Sequence, residues 1–265
     1  MELRRLVRGR ADRPQLERVG REIATRYDRD RIHLSVLEAD NWLSTPCVVD
    51  DEWFVKVITP QNALVHALFT GARNVGVFSR GEEGFFERFE SPLAMSQHEL
   101  EATRRVREIG INAPEPIEAF GVDGVGVLML EYLPDFRTLD DLPPAEVEAL
   151  APDLFDALSR MHEHNLAHGD LRGENVLVKD GELYFIDATN VREDAIATAR
   201  AYDLASALAT LEPAIGGSRA VEIAIGSYDI EELLAARDFL DFVRLRPDHD
   251  FQAALVKGEI EKRAG

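Results

Sequence analysis

One cysteine, four lysines and no apolar run of membrane-spanning length set the first limits on this 265-residue chain. The lone Cys47 excludes an intramolecular disulfide and a cysteine-rich zinc site. A bilayer-crossing helix needs roughly 18 or more consecutive apolar residues, and none is present. The Arg-rich start also lacks the apolar core of a secretory signal, so a soluble, cytoplasmic protein with no membrane partner is expected. Positive charge is scarce: 30 Lys and Arg face 49 Asp and Glu, a formal net charge of −19. That balance argues against a general grip on nucleic acid and for a small or locally recognised partner. What the chain does have is a hydrophobic fraction of 45%, enough for one large core or two lobes.

The scarce bases are unevenly chosen and placed. Only Lys56, Lys179, Lys257 and Lys262 are lysines, and the rest are arginines. Acidic excess with little lysine suits a cytosol of very high salt, where long-range repulsion is screened within a few ångströms, so a halophile is the expected source, with an ordinary acidic protein from a GC-rich, arginine-rich genome as the alternative. Residues 1–31 hold ten arginines against six acids, a net-positive stretch in an acidic chain. Such an asymmetry can mark a docking arm, while a solvated amphipathic helix is the plainer reading.

Periodicity divides the chain into a strand-rich front and a helix-rich back. Leu16, Val19, Ile23 and Tyr27 fall at helical spacing and predict a helix over 12–29. Between Ile32 and Ile58 β-formers cluster around the turn Asp50-Asp51, which predicts antiparallel strands. Four glycines punctuate residues 60–91, the pattern of a long insertion. A helix is expected from Pro92 to Gly110, then two strands joined at Asp123-Gly124. Beyond Pro134, Val147, Leu150, Leu154, Leu158 and Met161 form a helical stripe with a kink or restart at Pro152. A strand pair around Lys179-Asp180-Gly181 follows, and the remainder from about Val191 reads as helical. The expected organisation is an arm over 1–31, an N-terminal lobe over 32–133 with its insertion, and a C-terminal lobe over 134–265.

The sharpest chemical signal is His168-Gly-Asp-Leu-Arg-Gly-Glu-Asn175, followed by the strand pair and Asp187. An Asp and an Asn five residues apart on a loop, with a second Asp at the end of a hairpin, can converge on divalent cations, and their hard oxygens suit Mg²⁺. Such a site needs a cation for the donor phosphates, and Lys56 is the only lysine before position 179.

In this order the residues resemble the protein-kinase-like superfamily, over roughly residues 32–210. Glycine in His168-Gly169-Asp170 looks like the atypical branches, which include the RIO kinases, the KEOPS-complex kinase and the aminoglycoside or choline phosphotransferases. The resemblance implies an α+β, two-lobe protein-kinase-like fold, with an antiparallel N-lobe sheet and a reduced helical C-lobe. It implies that Asp170 is the catalytic Asp, that Asn175 and Asp187 hold the metal, and that Lys56 binds the ATP phosphates. Lys56 would be paired with a helix glutamate, Glu99 by position, with Glu101 in reserve. Backbone groups of Glu131 and Leu133, in Leu130-Glu-Tyr-Leu133, would bond the adenine edge, and Asp203 would brace the catalytic loop.

Two departures narrow the branch. No glycine lies between Leu34 and Lys56, so the glycine-rich phosphate loop is absent, and Ser44 and Thr45 are the candidates to replace it. No Ala-Pro-Glu sequence follows Asp187, which removes the peptide-docking platform of conventional kinases. With the insertion before Glu99, the chain looks most like a RIO-type serine/threonine kinase. That implies ATP and Mg²⁺ as cofactors, a protein or the enzyme itself as phosphoacceptor, ATP hydrolysis, and a role in small ribosomal subunit maturation. Residues 1–31 are where a ribosomal or RNA contact would be sought. A small-molecule phosphotransferase and a nucleotide-binding pseudokinase scaffold are the alternatives.

Overall fold

A computed structural model describes residues 10–37, 44–64, 89, 91–188, 196–244 and 250–265. Of the insertion expected over 60–91, residues 65–88 and 90 lie outside the described residues. Two compact units emerge: one from described residues within Met1–Arg73, Glu87–Arg105 and Pro114–Pro134, the other from Val106–Ala113 and Asp135–Gly265.

The first unit is a sheet with helices. Helix α1 (Arg13–Arg26) begins at Asp12, whose side chain accepts the Gln15 N–H while the Gln15 side chain accepts the Asp12 N–H, a reciprocal cap. Strands β1 (Leu34–Val36), β2 (Thr45–Val49), β3 (Trp53–Ile58), β4 (Pro116–Val122) and β5 (Val125–Glu131) form an antiparallel sheet in the order β1-β2-β3-β5-β4. The tight β2–β3 and β4–β5 turns use left-handed Asp50, Asp51, Asp123 and Gly124. Period-two alternation sends Trp53, Val55 and Val57 to one face, where they pack with Val127, Met129 and the α1 residues Val19 and Ile23. Burying each α1 anchor is worth about 1.5–3 kcal/mol. Lys56 has the opposite parity in β3, so it cannot share that apolar core. Helix α2 (Pro92–Glu108) starts at Ser91, whose hydroxyl accepts the Ala94 N–H. Its first residue crosses β5 at Gly126, where a Cβ would lie 2.2 Å from the Pro92 carbonyl oxygen.

The second unit is mainly helical. Strands β6 (Arg137–Thr138), β7 (Val176–Lys179) and β8 (Glu182–Phe185) form a small antiparallel sheet beside helices α3 (Pro144–Glu163), α4 (Ile196–Ile215), α5 (Gly217–Ala224), α6 (Ile230–Arg237), α7 (Leu240–Arg244) and α8 (Ala253–Ala264). Helix α4 is the hub. Tyr202, Asp203, Leu204, Ala205, Ser206, Ala207 and Leu208 are all buried, so it shows no polar face over that stretch.

The segment after Pro134 contributes β6 and a 3-10 turn, Leu139–Asp141, before α3. One expectation is corrected. Pro152 does not restart α3, which runs through it. Pro152 and Glu148 are both exposed, so the Glu148 carbonyl that loses its helical donor remains open to water.

Candidate functional site

Within the first unit the geometry gathers around Lys56. Its Nζ lies 2.5 Å from Glu99 Oε1, with side-chain exposures of 7% and 19%. Sheet parity turns the lysine away from the α1 core, and the approach of α2 over Gly126 brings the glutamate to the same face. Glu101, the reserve candidate, pairs instead with Arg104 on the exposed side of α2. Glu131 ends β5 with its N–H committed to the Glu115 carbonyl and its carboxylate accepting the Glu115 N–H. Only the Glu131 carbonyl could therefore serve adenine. The Leu133 side chain is buried.

The hydroxyl candidates require a correction. Thr45 Oγ1 accepts the Ala11 N–H at 2.8 Å, and Ser44 and Thr45 are only 3% and 1% exposed. Thr45 ties the chain before α1 to the sheet, a structural task that leaves neither hydroxyl facing solvent. Residues 38–43 lie outside the described residues. Four arginines of the basic stretch are matched by acids: Arg13, Arg18, Arg26 and Arg29 pair with Glu17, Asp123, Glu22 and Glu118, and Asp50 and Glu52, respectively. Arg29 and Arg26 also lie over the Trp53 and Phe120 rings. That part of the arm reads as packing against its own sheet.

Within the second unit the loop between α3 and β7 carries Asp170. Asp203 is fully buried in α4 and accepts the N–H groups of His168 at 2.5 Å and Gly169 at 2.8 Å. The His162 ring sits 3.4 Å from the same carboxylate and 2.9 Å from the Tyr228 hydroxyl. This chain of polar groups fixes the backbone just before Asp170. His168 is completely buried, and burial lowers its pKa although Asp203, Asp170 and Asp187 favour its charged form. The Asp170 N–H points at His168 Nδ1, at 3.4 Å, which leaves the ring proton on Nε2.

Asn175 follows in the 3-10 turn Gly173–Asn175. Its Nδ2 donates to the Asp170 carbonyl at 2.8 Å, and its own carbonyl accepts the Ile186 N–H at 3.0 Å. The hairpin register thus brings Asn175 beside the segment that leads into Asp187. Asp187 adopts a left-handed φ of 59°, a conformation that the short polar Asp tolerates. With the Asn175 amide nitrogen spent on Asp170, its oxygen is the acceptor left for other work. That neutral oxygen and the Asp187 carboxylate are hard donors that fit Mg²⁺. Arg172, which the motif reading passed over, has its Nε 3.5 Å from Asp170 Oδ2 and its guanidinium 3.2 Å from Glu174.

A small antiparallel sheet with a paired lysine in one unit, and a buried-helix-braced acidic loop in the other, define a protein-kinase-like fold. A solved structure, a putative fructosamine-3-kinase from Haemophilus somnus, shares that fold at 12% identity with a TM-score of 0.51, over 93% of this chain and 97% of its own. Residues 87–200 match the RIO domain family model. The KEOPS complex subunit Bud32 of Pyrococcus abyssi is 30% identical over 110 residues, which are 40% of this chain and 49% of that protein. Serine/threonine-protein kinase 1 of the Lymantria dispar multicapsid nuclear polyhedrosis virus is 33% identical over 66 residues, 23% of this chain and 24% of the kinase. The matches thus span about half or less of these relatives. Over residues 87–200 the chain is thus similar to the RIO-type atypical kinases.

Proposed function

We propose that the protein transfers the γ-phosphoryl group of ATP to a protein hydroxyl, its own included, as an atypical serine/threonine kinase with an accompanying ATPase activity. The observation that carries this reading is the Lys56–Glu99 pair. Taking two charges out of water is expensive, and such a pair is commonly replaceable by apolar residues without loss of stability. Its presence is better explained by a lysine held extended for an anionic ligand.

The remaining roles follow from the same chemistry. Lys56 neutralises phosphate charge while Glu99 fixes its direction. Asp170, held by the Asp203 brace, orients the acceptor hydroxyl and takes its proton as the oxygen attacks phosphorus and the bond to the diphosphate leaving group breaks. Asn175 and Asp187 would hold Mg²⁺, which supplies charge neutralisation on the phosphates when bound. His168, kept neutral by burial, adds no positive charge that would hold the Asp170 carboxylate away from its proton. The KEOPS relative is a subunit of a complex, so a partner protein belongs among the proposed acceptors.

The test is thermal unfolding with ATP, with and without Mg²⁺, followed by incubation with γ-labelled ATP. The reading expects a Mg²⁺-dependent shift and label on protein, both retained by wild type, with label lost in Asp170→Ala. Label on an added aminoglycoside or choline instead would move the protein to the small-molecule phosphotransferases. A shift without any transfer or hydrolysis would make it a pseudokinase scaffold.

A further inference from the structure

The turn that carries Asn175 has no cap of its own. Arg172 precedes the 3-10 turn Gly173–Asn175, and its side chain, which donates to the Glu174 carboxylate, caps none of the turn's N–H groups. The opening N–H groups of a helical turn need an acceptor, and a distant one here comes from the 3-10 turn Leu139–Asp141. The Asp140 carboxylate accepts the Glu174 N–H. The approach is so close that a Cβ built on Gly173 would fall 1.8 Å from Asp140 Oδ1 and 2.2 Å from its Cγ. Only glycine at 173 leaves room for that carboxylate.

Asn175 has little freedom of its own. Its N–H donates to the Arg172 carbonyl, its carbonyl accepts from Ile186, and its amide donates to the Asp170 carbonyl. A displacement of Glu174 is therefore passed to the next residue and to the direction of its amide oxygen. Asp140 itself belongs to neither the Asp170 loop nor the Asp187 hairpin.

We propose that Asp140 is a positioning residue for the divalent cation: by holding the Glu174 N–H across Gly173, it sets where Asn175 presents its oxygen. This rests on the phosphoryl-transfer reading above. Outer partners of metal ligands characteristically change metal affinity by about 10- to 100-fold when removed.

The experiment is thermal unfolding of the full chain at fixed ATP over a series of MgCl₂ concentrations, with hydrogen exchange of the Glu174 amide in metal-free protein as a second readout. Asp140→Ala should raise the half-saturating Mg²⁺ concentration by about tenfold and speed Glu174 exchange, with the ATP shift in EDTA unchanged. Asp140→Asn keeps an acceptor oxygen and should restore most of the affinity. Gly173→Ala should displace the carboxylate and reproduce Asp140→Ala, and the double variant should be no worse than either single one. If Asp140→Ala does not fold, the Asp140→Asn and Gly173→Ala pair carries the same contrast. A Mg²⁺-dependent shift in wild type with Gly173→Ala and Asp140→Ala within about twofold of it overturns the positioning role alone. Absence of any Mg²⁺-dependent shift in wild type overturns the phosphoryl-transfer reading and the role of Asp140 with it.

Discussion

Buried charge is handled in opposite ways by the two units. In the first, the Lys56 cation meets the Glu99 carboxylate directly, on the sheet face that the apolar core does not use. In the second, the fully buried Asp203 is satisfied by two backbone N–H groups and a histidine ring. A carboxylate that gathers backbone donors organises the chain around it, and its removal leaves those donors unmet. A buried lysine–glutamate pair organises little backbone, and its two charges offset each other's desolvation only in part. The contrast separates a charge that holds the fold from charges that, under the proposed function, the fold holds for a ligand.

The largest effect should follow from striking the brace. Asp203→Ala strands the His168 and Gly169 N–H groups and should cost about 3–5 kcal/mol in urea unfolding, with Asp203→Asn costing less because one acceptor oxygen survives. Glu99→Ala leaves Lys56 buried without its carboxylate and should cost about 2–4 kcal/mol, a smaller loss because neither side chain is fully enclosed.

The pH response sharpens the same contrast. His168 is held neutral by burial, with a folded-state pKa below its ordinary value of 6.5, so the unfolded chain takes up the proton first. Its contribution to stability is complete above about pH 6.5 and is lost as the pH falls below that value. Urea midpoints measured on either side of that pH should therefore drop toward acid, and His168→Gln, although less stable at neutral pH, should show a shallower drop. A smaller effect is expected at the outer end of the brace. Tyr228→Phe removes the hydroxyl at His162 Nδ1 and should cost about 1 kcal/mol, read as a lower urea midpoint with an unchanged slope.

Much of this arrangement was legible in the sequence, because it rests on local spacing. The β-formers from Trp53 to Ile58 predict the strand that carries Lys56, and the loop from His168 to Asn175 announces its chemistry by composition. Contacts between distant segments were less legible. Thr45 appeared available for phosphate because nothing local shows that Ala11 donates to its hydroxyl. Gly173 reads as ordinary loop glycine until Asp140 is placed over it, and Tyr228 gives no sign that it will meet His162. Strand β6 has two residues, too few for any period to register. Pro152 allowed a restart that does not occur, because the local rule against proline in a helix is relaxed where the affected carbonyl stays wet.

The central claim is that the Lys56–Glu99 pair serves phosphoryl transfer and not folding. Replacing both residues together, as Lys56→Met with Glu99→Leu, tests it most directly when urea unfolding and transfer from γ-labelled ATP are measured on the same preparation. The account predicts stability within about 1 kcal/mol of wild type, or above it, with transfer reduced to background. Transfer that persists in the folded double variant would contradict it.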